Sequence, residues 1–224
     1  MDKFKLFILE THYSLEQLYS KLIESTKNVD STFELHPLRK NSNKFIFNFI
    51  EKKIIETLIL DKHGQEQTIE YLHIDSFSFH IEIRNNKLFL LLKNPPRSLK
   101  FFKQTLAEIF EYQISISEER IDPLVWLRRV EKHFNNEFLI ISMEIKDIIF
   151  NSKTNGTLTL KSQIDLRDKY IEIVNSNNYR ICKILVNNND YFKGKFILSS
   201  DSSFQLDCFN SQELLESLLE HFLV

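Results

Sequence analysis

The 224-residue sequence predicts an α+β fold of two sheet-plus-helix parts whose strands are mainly antiparallel. Three observations lead there. Apolar residues alternate with period two through 44–93 and return in strand-like runs through 137–209. Short turn signals link those runs, which favours antiparallel neighbours over crossovers. Each strand-rich region then closes on a segment of helical period, so a helix layer can cover each sheet.

Residues 4–9 read as a first strand. Ser14 opens a helix with Gln17 three places on, the spacing of a capping box, and Leu15, Leu18, Leu22 and Ile23 follow at helical period. Polar residues 25–32 end it. Phe45, Phe47 and Phe49 begin a strand region that continues through 54–60, with a turn at Asp61-Lys62-His63-Gly64. Residues 68–83 alternate again, and Asn85-Asn86 marks another turn before a buried-type strand at 88–92. Asn94-Pro95-Pro96 stops it, because proline cannot continue a ladder. A helix is expected over about 97–112 with Leu99, Phe102, Leu106, Ile109 and Phe110 inward, then a short strand at 113–117. Asp122-Pro123 is a helix start, aspartate as cap and proline at the first position, and that helix reaches Phe134. Strands follow at 137–150 and 157–163 around Asn155-Gly156, a hairpin signal. A helix is expected at 165–175, strands at 179–187, 191–199 and 203–209, and a closing helix at 211–223 capped by Asn210 with Glu213 three on. The expected division is an N-terminal α+β domain over 1–117, a connecting helix over 118–136 and a C-terminal α+β domain over 137–224.

Composition excludes several classes. Twenty Phe and 42% hydrophobic residues supply a core, which argues against disorder. The net charge of −2 gives no global attraction to nucleic acid, so such binding needs a local patch. The three glycines, Gly64, Gly156 and Gly194, form neither GxGxxG nor GxxxxGK[ST], which speaks against a dinucleotide site or P-loop. Cys182 and Cys208 lack CxxC spacing and read as reduced thiols. The seven histidines (His12, His36, His63, His73, His80, His133, His221) show no HxH or HExxH spacing, so no metal site and no cofactor is expected. No apolar run approaches the length of a membrane span, and the N-terminus lacks a signal-peptide pattern; the expected location is cytoplasmic, with no membrane partner.

Cations on two helices carry the leading functional expectation. Arg97, Lys100 and Lys103 recur every third residue opposite an apolar face, and Arg128, Arg129 and Lys132 cluster after Pro123. Placed together, such charges displace counterions from a phosphate backbone, and arginine adds a two-pronged fork. The plainer reading is two solvated helix faces. Glu144-Ile145-Lys146 spells ExK on a strand, where alternation puts both side chains on one face. A metal-dependent nuclease uses such a pair with a second acid, for which Asp122 is the nearest candidate but already reads as a helix cap. The interleaved Phe45, Phe47, Phe77 and Phe79 read as core more readily than as a base-stacking platform. No GxSxG is present.

One segment resembles a known family. Lys146-Asp147-Ile148-Ile149-Phe150-Asn151, followed by Leu158-Thr159-Leu160 and by Asp165 to Val174, is similar to a stretch of the phage-exclusion protein RexA of lambdoid prophages, to which the Kiwa component KwaB is similar in fold. The resemblance implies a DNA-binding sensor rather than an enzyme, and it transfers no contact residue. The expected function is therefore a non-enzymatic accessory or sensor subunit of a bacterial anti-phage defence or DNA-transaction complex. Its expected partners are DNA and a larger protein subunit; self-association stays open. A protein–protein scaffold, docking through the leucine-rich helix at 211–223, and a nuclease using Glu144 and Lys146 are the alternatives.

Overall fold

A computed structural model of the chain describes residues 1–27, 32–60, 62–151, 154–174 and 178–222, without the side chains of Phe150 and Asn151. In chain order the elements are β1 (Asp2–Thr11), α1 (Leu15–Ser25), β2 (Phe33–Lys40), β3 (Lys44–Leu60), β4 (Glu66–Arg84), β5 (Lys87–Lys93), α2 (Lys100–Ile109), β6 (Ile114–Ser117) and α3 (Pro123–Phe134). Then come β7 (Leu139–Asn151), β8 (Thr154–Lys161), α4 (Lys169–Val174), β9 (Arg180–Asn188), β10 (Gly194–Ser199), β11 (Ser203–Cys208) and α5 (Ser211–Glu220). The fold is α+β, as the period switching predicts, and its strands are mostly antiparallel.

The chain forms two compact units, Ile8–Ser117 and Met1–Phe7 with Glu118–Val224. Residues 118–136, expected as a connecting helix, fall with α3 in the second of these units. The first seven residues join that unit as well, because Asp2–Lys5 pair with Leu206–Ser203 of β11. A strand's ladder partner is set by register across the whole chain, which local sequence does not carry.

In the Ile8–Ser117 unit, β2, β3, β4 and β5 lie side by side, and Ile8–Thr11 pair with β6. Phe45, Phe47, Phe49, Phe77, Phe79 and Ile81 occupy one face of β3 and β4 and are buried. Phe102 of α2 sets its ring edge-on to Phe49, Phe77 and Phe79, with centroids 5.1, 5.1 and 5.2 Å away. Edge-to-face pairs of this kind add about 0.5–1.5 kcal/mol each beyond area burial. The phenylalanines are core, not a stacking platform. Helix α1 carries the expected capping box between Ser14 and Gln17. Asn85 and Asn86 both have positive φ between Arg84 and Lys87, the two-residue hairpin turn that asparagine tolerates.

Two local expectations in this unit are corrected. Strand β2 stands where the sequence pattern predicts none, because Pro37 interrupts its alternation. It sits at the edge, with a register shift between Pro37 and Arg39, where a missing donor costs least. Helix α2 begins at Lys100, so Arg97 lies in the loop before it. Strands β3 and β4 run unbroken for 17 and 19 residues. Asp61 of the expected turn lies outside the described residues.

In the other unit the sheet order is β1-β11-β10-β9-β7-β8. Trp126 of α3 is fully buried, edge-on to Phe204 and Phe222, and its indole donates to the Leu218 carbonyl at 3.0 Å. That bond ties α3 to α5. Asp122 caps α3 as expected, accepting from the Leu124 amide at 2.8 Å. Gly194 is required by close approach: a Cβ there would lie 2.3 Å from the Asp207 carbonyl oxygen and 2.7 Å from Cys208 Cα.

Here, too, details differ from expectation. Asn155 and Gly156 lie within β8, opposite Ile149 and Ile148; the link between β7 and β8 lies outside the described residues. Asn210 precedes α5 in the left-handed conformation and makes no side-chain cap bond. Helix α4 is six residues long, its N-terminal stretch being taken by an Asp165–Arg167 turn; residues 175–177 and 223–224 lie outside the described residues. Leu214, Leu215, Leu218 and Leu219 of α5 are buried, so its apolar face is covered by its own unit.

Candidate functional site

The six expected cations divide between the units. Arg97, Lys100 and Lys103 belong to Ile8–Ser117; Arg128, Arg129 and Lys132 belong to the unit containing α3. Within the first group, Arg97 and Lys100 are exposed and Lys103 is half-buried. Leu99 offers no side-chain cap to α2, and the first turn carries no acid. Unsatisfied amides and adjacent cations make that turn receptive to an anion.

Within the second group, Arg128 and Lys132 are exposed, one turn apart on α3. Arg129 is turned elsewhere. Its Nη1 donates to the carbonyl oxygens of His221 and Phe222 at 3.3 and 3.1 Å. It closes the C-terminal end of α5, where a cation meets the negative end of the helix dipole.

Near Arg128 lies a cleft of about 250 Å³ that the sequence did not reveal. It is lined by Arg120, Asp122, Tyr170, Tyr179, Arg180 and Ser200, with Ile121 and Ile181 as its apolar part. Backbone bonds fix its frame. The Ile121 amide donates to Ser200 O at 3.1 Å, and the Ser200 amide to Cys182 O at 2.8 Å. The Tyr179 hydroxyl donates to the Tyr170 hydroxyl at 3.3 Å, with the rings nearly perpendicular. Burial first, and then that bond, hold the Tyr170 hydroxyl above its ordinary pKa; Asp122 adds to this, and the charge of Arg128 opposes it. Tyr170 is therefore a neutral O–H donor.

Arg180 binds Asp147 at 3.2 Å through Nη2. Its Nε is buried and has no hydrogen-bond partner among the described residues. A buried donor left unmade costs on the order of 1–3 kcal/mol. Lys146 lies opposite Arg180 in the β7–β9 ladder. Glu144 and Lys146 do share a face, but they bind each other at 2.9 Å. That hydrogen bond raises the Lys146 pKa. Among the described residues, no cluster of three or more His, Cys, Asp or Glu side chains is placed to hold a metal.

A second concavity, about 520 Å³, lies in the Ile8–Ser117 unit. Glu24, Glu108 and Glu111 line it with Lys21, Phe33 and Ile109, and Lys21 is bound to Glu111 at 2.6 Å. Its acidic lining is opposite in sign to what a phosphate needs. Among the described residues, no helix is long and apolar enough to cross a membrane.

Compared with the models of known protein families and with the curated proteins, the chain matches none. The cleft therefore has to be read from its own chemistry. Two arginines line it, a third stands beside it, and paired tyrosine hydroxyls and apolar side chains complete it. It carries donors for an anionic group beside aromatic and apolar walls.

Proposed function

We propose that the protein is a non-enzymatic DNA-binding accessory or sensor subunit that takes a single-stranded segment at the Arg120–Tyr179–Arg180 cleft. The observation that carries this reading is the meeting of Arg120 and Arg180 with the Tyr170–Tyr179 pair in the lining of one cleft. Guanidinium groups meet phosphate oxygens in a fork, and aromatic and apolar walls accept bases without regard to sequence. A cleft of this size admits a single nucleotide and not a duplex. Arg128 and Lys132 extend the cationic track along α3. The resemblance of 146–174 to RexA- and KwaB-like proteins supports an anti-phage setting.

Fluorescence anisotropy of labelled single- and double-stranded DNA across a salt series tests this. The expected result is preference for the single strand, affinity falling steeply with salt, and loss in Arg120→Glu/Arg180→Glu. No binding at low salt, or binding unchanged in that variant, overturns it.

A further inference from the structure

β3 and β4 remain paired from Lys44↔Glu82 to Leu60↔Glu66, but their neighbours stop early. β2 pairs only as far as Glu51, and β5 only as far as Ser78. Among the described residues, 53–60 and 66–77 therefore pair only with each other, as a two-stranded ribbon. Such a ribbon is marginally stable alone, and this one exposes large apolar side chains along its length.

Register assigns them to faces, because directly opposed residues share one. On the face continuing the phenylalanine core, the ribbon begins with an ion cluster: Lys53 binds Glu51 at 2.8 Å and Asp75 at 3.5 Å. The other face reads, in successive rows, Lys52/Ile74, Ile54/Leu72, Glu56/Glu70, Leu58/Thr68 and Leu60/Glu66. Ile54 is 72% exposed, Leu58 67% and Leu60 68%, and Leu72 and Ile74 are each more than half exposed. Apolar rows of this kind, on either side of the Glu56/Glu70 row, are what an ordinary protein–protein interface covers, and a monomer rarely leaves so many large apolar side chains exposed along one face.

The charges on this face choose the occupant. Glu56 lies directly across from Glu70, a like-charge pair that destabilises the ribbon until a cation reaches it. The one cation in these rows is Lys52, two rows nearer the base and already bound to Glu34. Rows are about 7 Å apart. A two-fold axis through the Ile54/Leu72 row sets Lys52 of each copy against the Glu56/Glu70 pair of the other. It also packs Ile54 and Leu72 on their own symmetry mates and lays Leu58 over Ile50, which is half-buried. An axis through the Glu56/Glu70 row would stack four carboxylates, and one through the Lys52/Ile74 row would oppose two lysines. The strip is thus self-complementary in one register, the condition for a closed two-fold interface. We propose that this ribbon is a dimerisation arm whose occupant is the same ribbon of a second copy of this chain. The inference is independent of the nucleic-acid cleft.

Sedimentation velocity of the full chain over a concentration series tests it. The wild type is expected as a dimer, and Ile54→Glu/Leu72→Glu as a monomer with at least ~100-fold weaker association. Both positions are exposed, and unchanged far-UV circular dichroism verifies the fold. Charge reversal gives the second arm. Lys52→Glu alone and Glu56→Lys/Glu70→Lys alone should each dissociate, whereas an equimolar mixture of the two should associate at least about tenfold more tightly than either. A monomeric wild type, an undiminished dimer in Ile54→Glu/Leu72→Glu, or a mixture no tighter than its components overturns the proposal.

Discussion

Glu131 and Arg167 hold α3 to β7 and to the turn before α4, and separating them tests how the second unit is stabilised. Glu131 is buried, 7% exposed, yet it is fully engaged. Its Oε1 accepts from the Phe138 amide at 2.8 Å and from Arg167 Nη2 at 2.7 Å, and its Oε2 from Arg167 Nη1 at 3.1 Å. Arg167 also donates to Asp165 Oδ2 at 3.0 Å and to the Phe138 carbonyl at 2.6 Å. Burial works against the guanidinium charge, but its carboxylate partners more than offset this and raise the Arg167 pKa. Arg167→Met leaves a buried carboxylate with only its amide partner, a loss of about 3–5 kcal/mol. Glu131→Gln keeps an acceptor for Phe138, and Arg167 retains Asp165 and a carbonyl, so the loss is smaller, about 1.5–3 kcal/mol. The double variant no longer contains a charge stranded by its partner's removal, and should be at least ~1 kcal/mol more stable than the summed singles imply. Trp126 is the single tryptophan and is fully buried in this unit, so its fluorescence reports this unit's unfolding in urea. With a slope of about 1.5–2 kcal/mol per molar, a loss of 3 kcal/mol moves the midpoint by about 1.5–2 M. Single variants that each shift it by less than ~0.5 M, or strictly additive losses, would refute the reasoning.

Further outcomes follow from other sites. Arg128→Gln should lower the slope of log affinity against log salt for single-stranded DNA by about 0.7, one phosphate contact, while Glu144→Ala leaves it unchanged; the salt series reads both. Gly194→Ala forces a methyl group against the β11 backbone and should cost about 2–3 kcal/mol in the Trp126 transition. Burial alone would raise the Asp201 carboxyl, but hydrogen bonds from Lys5 and Ser203 and the Lys5 charge bring it below its ordinary value. A carboxyl depressed on folding stabilises above its unfolded pKa of about 4, and that contribution disappears as pH falls through the folded value. Urea melts at neutral pH and below pH ~4 should therefore show a smaller acid-induced loss in Lys5→Met than in the wild type.

The starts of α1 and α3 were legible in the sequence because capping is local. Ser14 with Gln17, and Asp122 with Pro123, satisfy backbone amides within three residues of themselves. The phenylalanine core of β3 and β4 was legible for a similar reason, since alternation alone assigns a strand's face. Asn85-Asn86 told its turn through a backbone preference that belongs to the residue itself. Local patterns misled where a distant partner decided the outcome. Pro37 concealed β2, which survives because it lies at an edge. Asn155-Gly156 signalled a turn but was drawn into a ladder with Ile149 and Ile148.

The candidate site was less legible. Arg128 stood out as one of a cluster of cations, but its neighbours Arg120, Tyr170, Tyr179 and Arg180 come from three separate stretches of chain. Arg129 carried the same local signal, and only the position of α5 turned it into a helix cap. The ribbon followed the same rule. Its strand character lay in Ile54, Ile55, Leu58 and Ile69, but whether those side chains are core or surface depends on where β2 and β5 stop. By itself the sequence determined the α+β class, the strand faces and the caps of α1 and α3, because these are set by residues a few positions apart. The tertiary structure alone decided which cations face an open cleft, which glutamate is buried with an arginine and which apolar strip stays uncovered. Those depend on pairings across the whole chain, to which no short stretch of residues is sensitive.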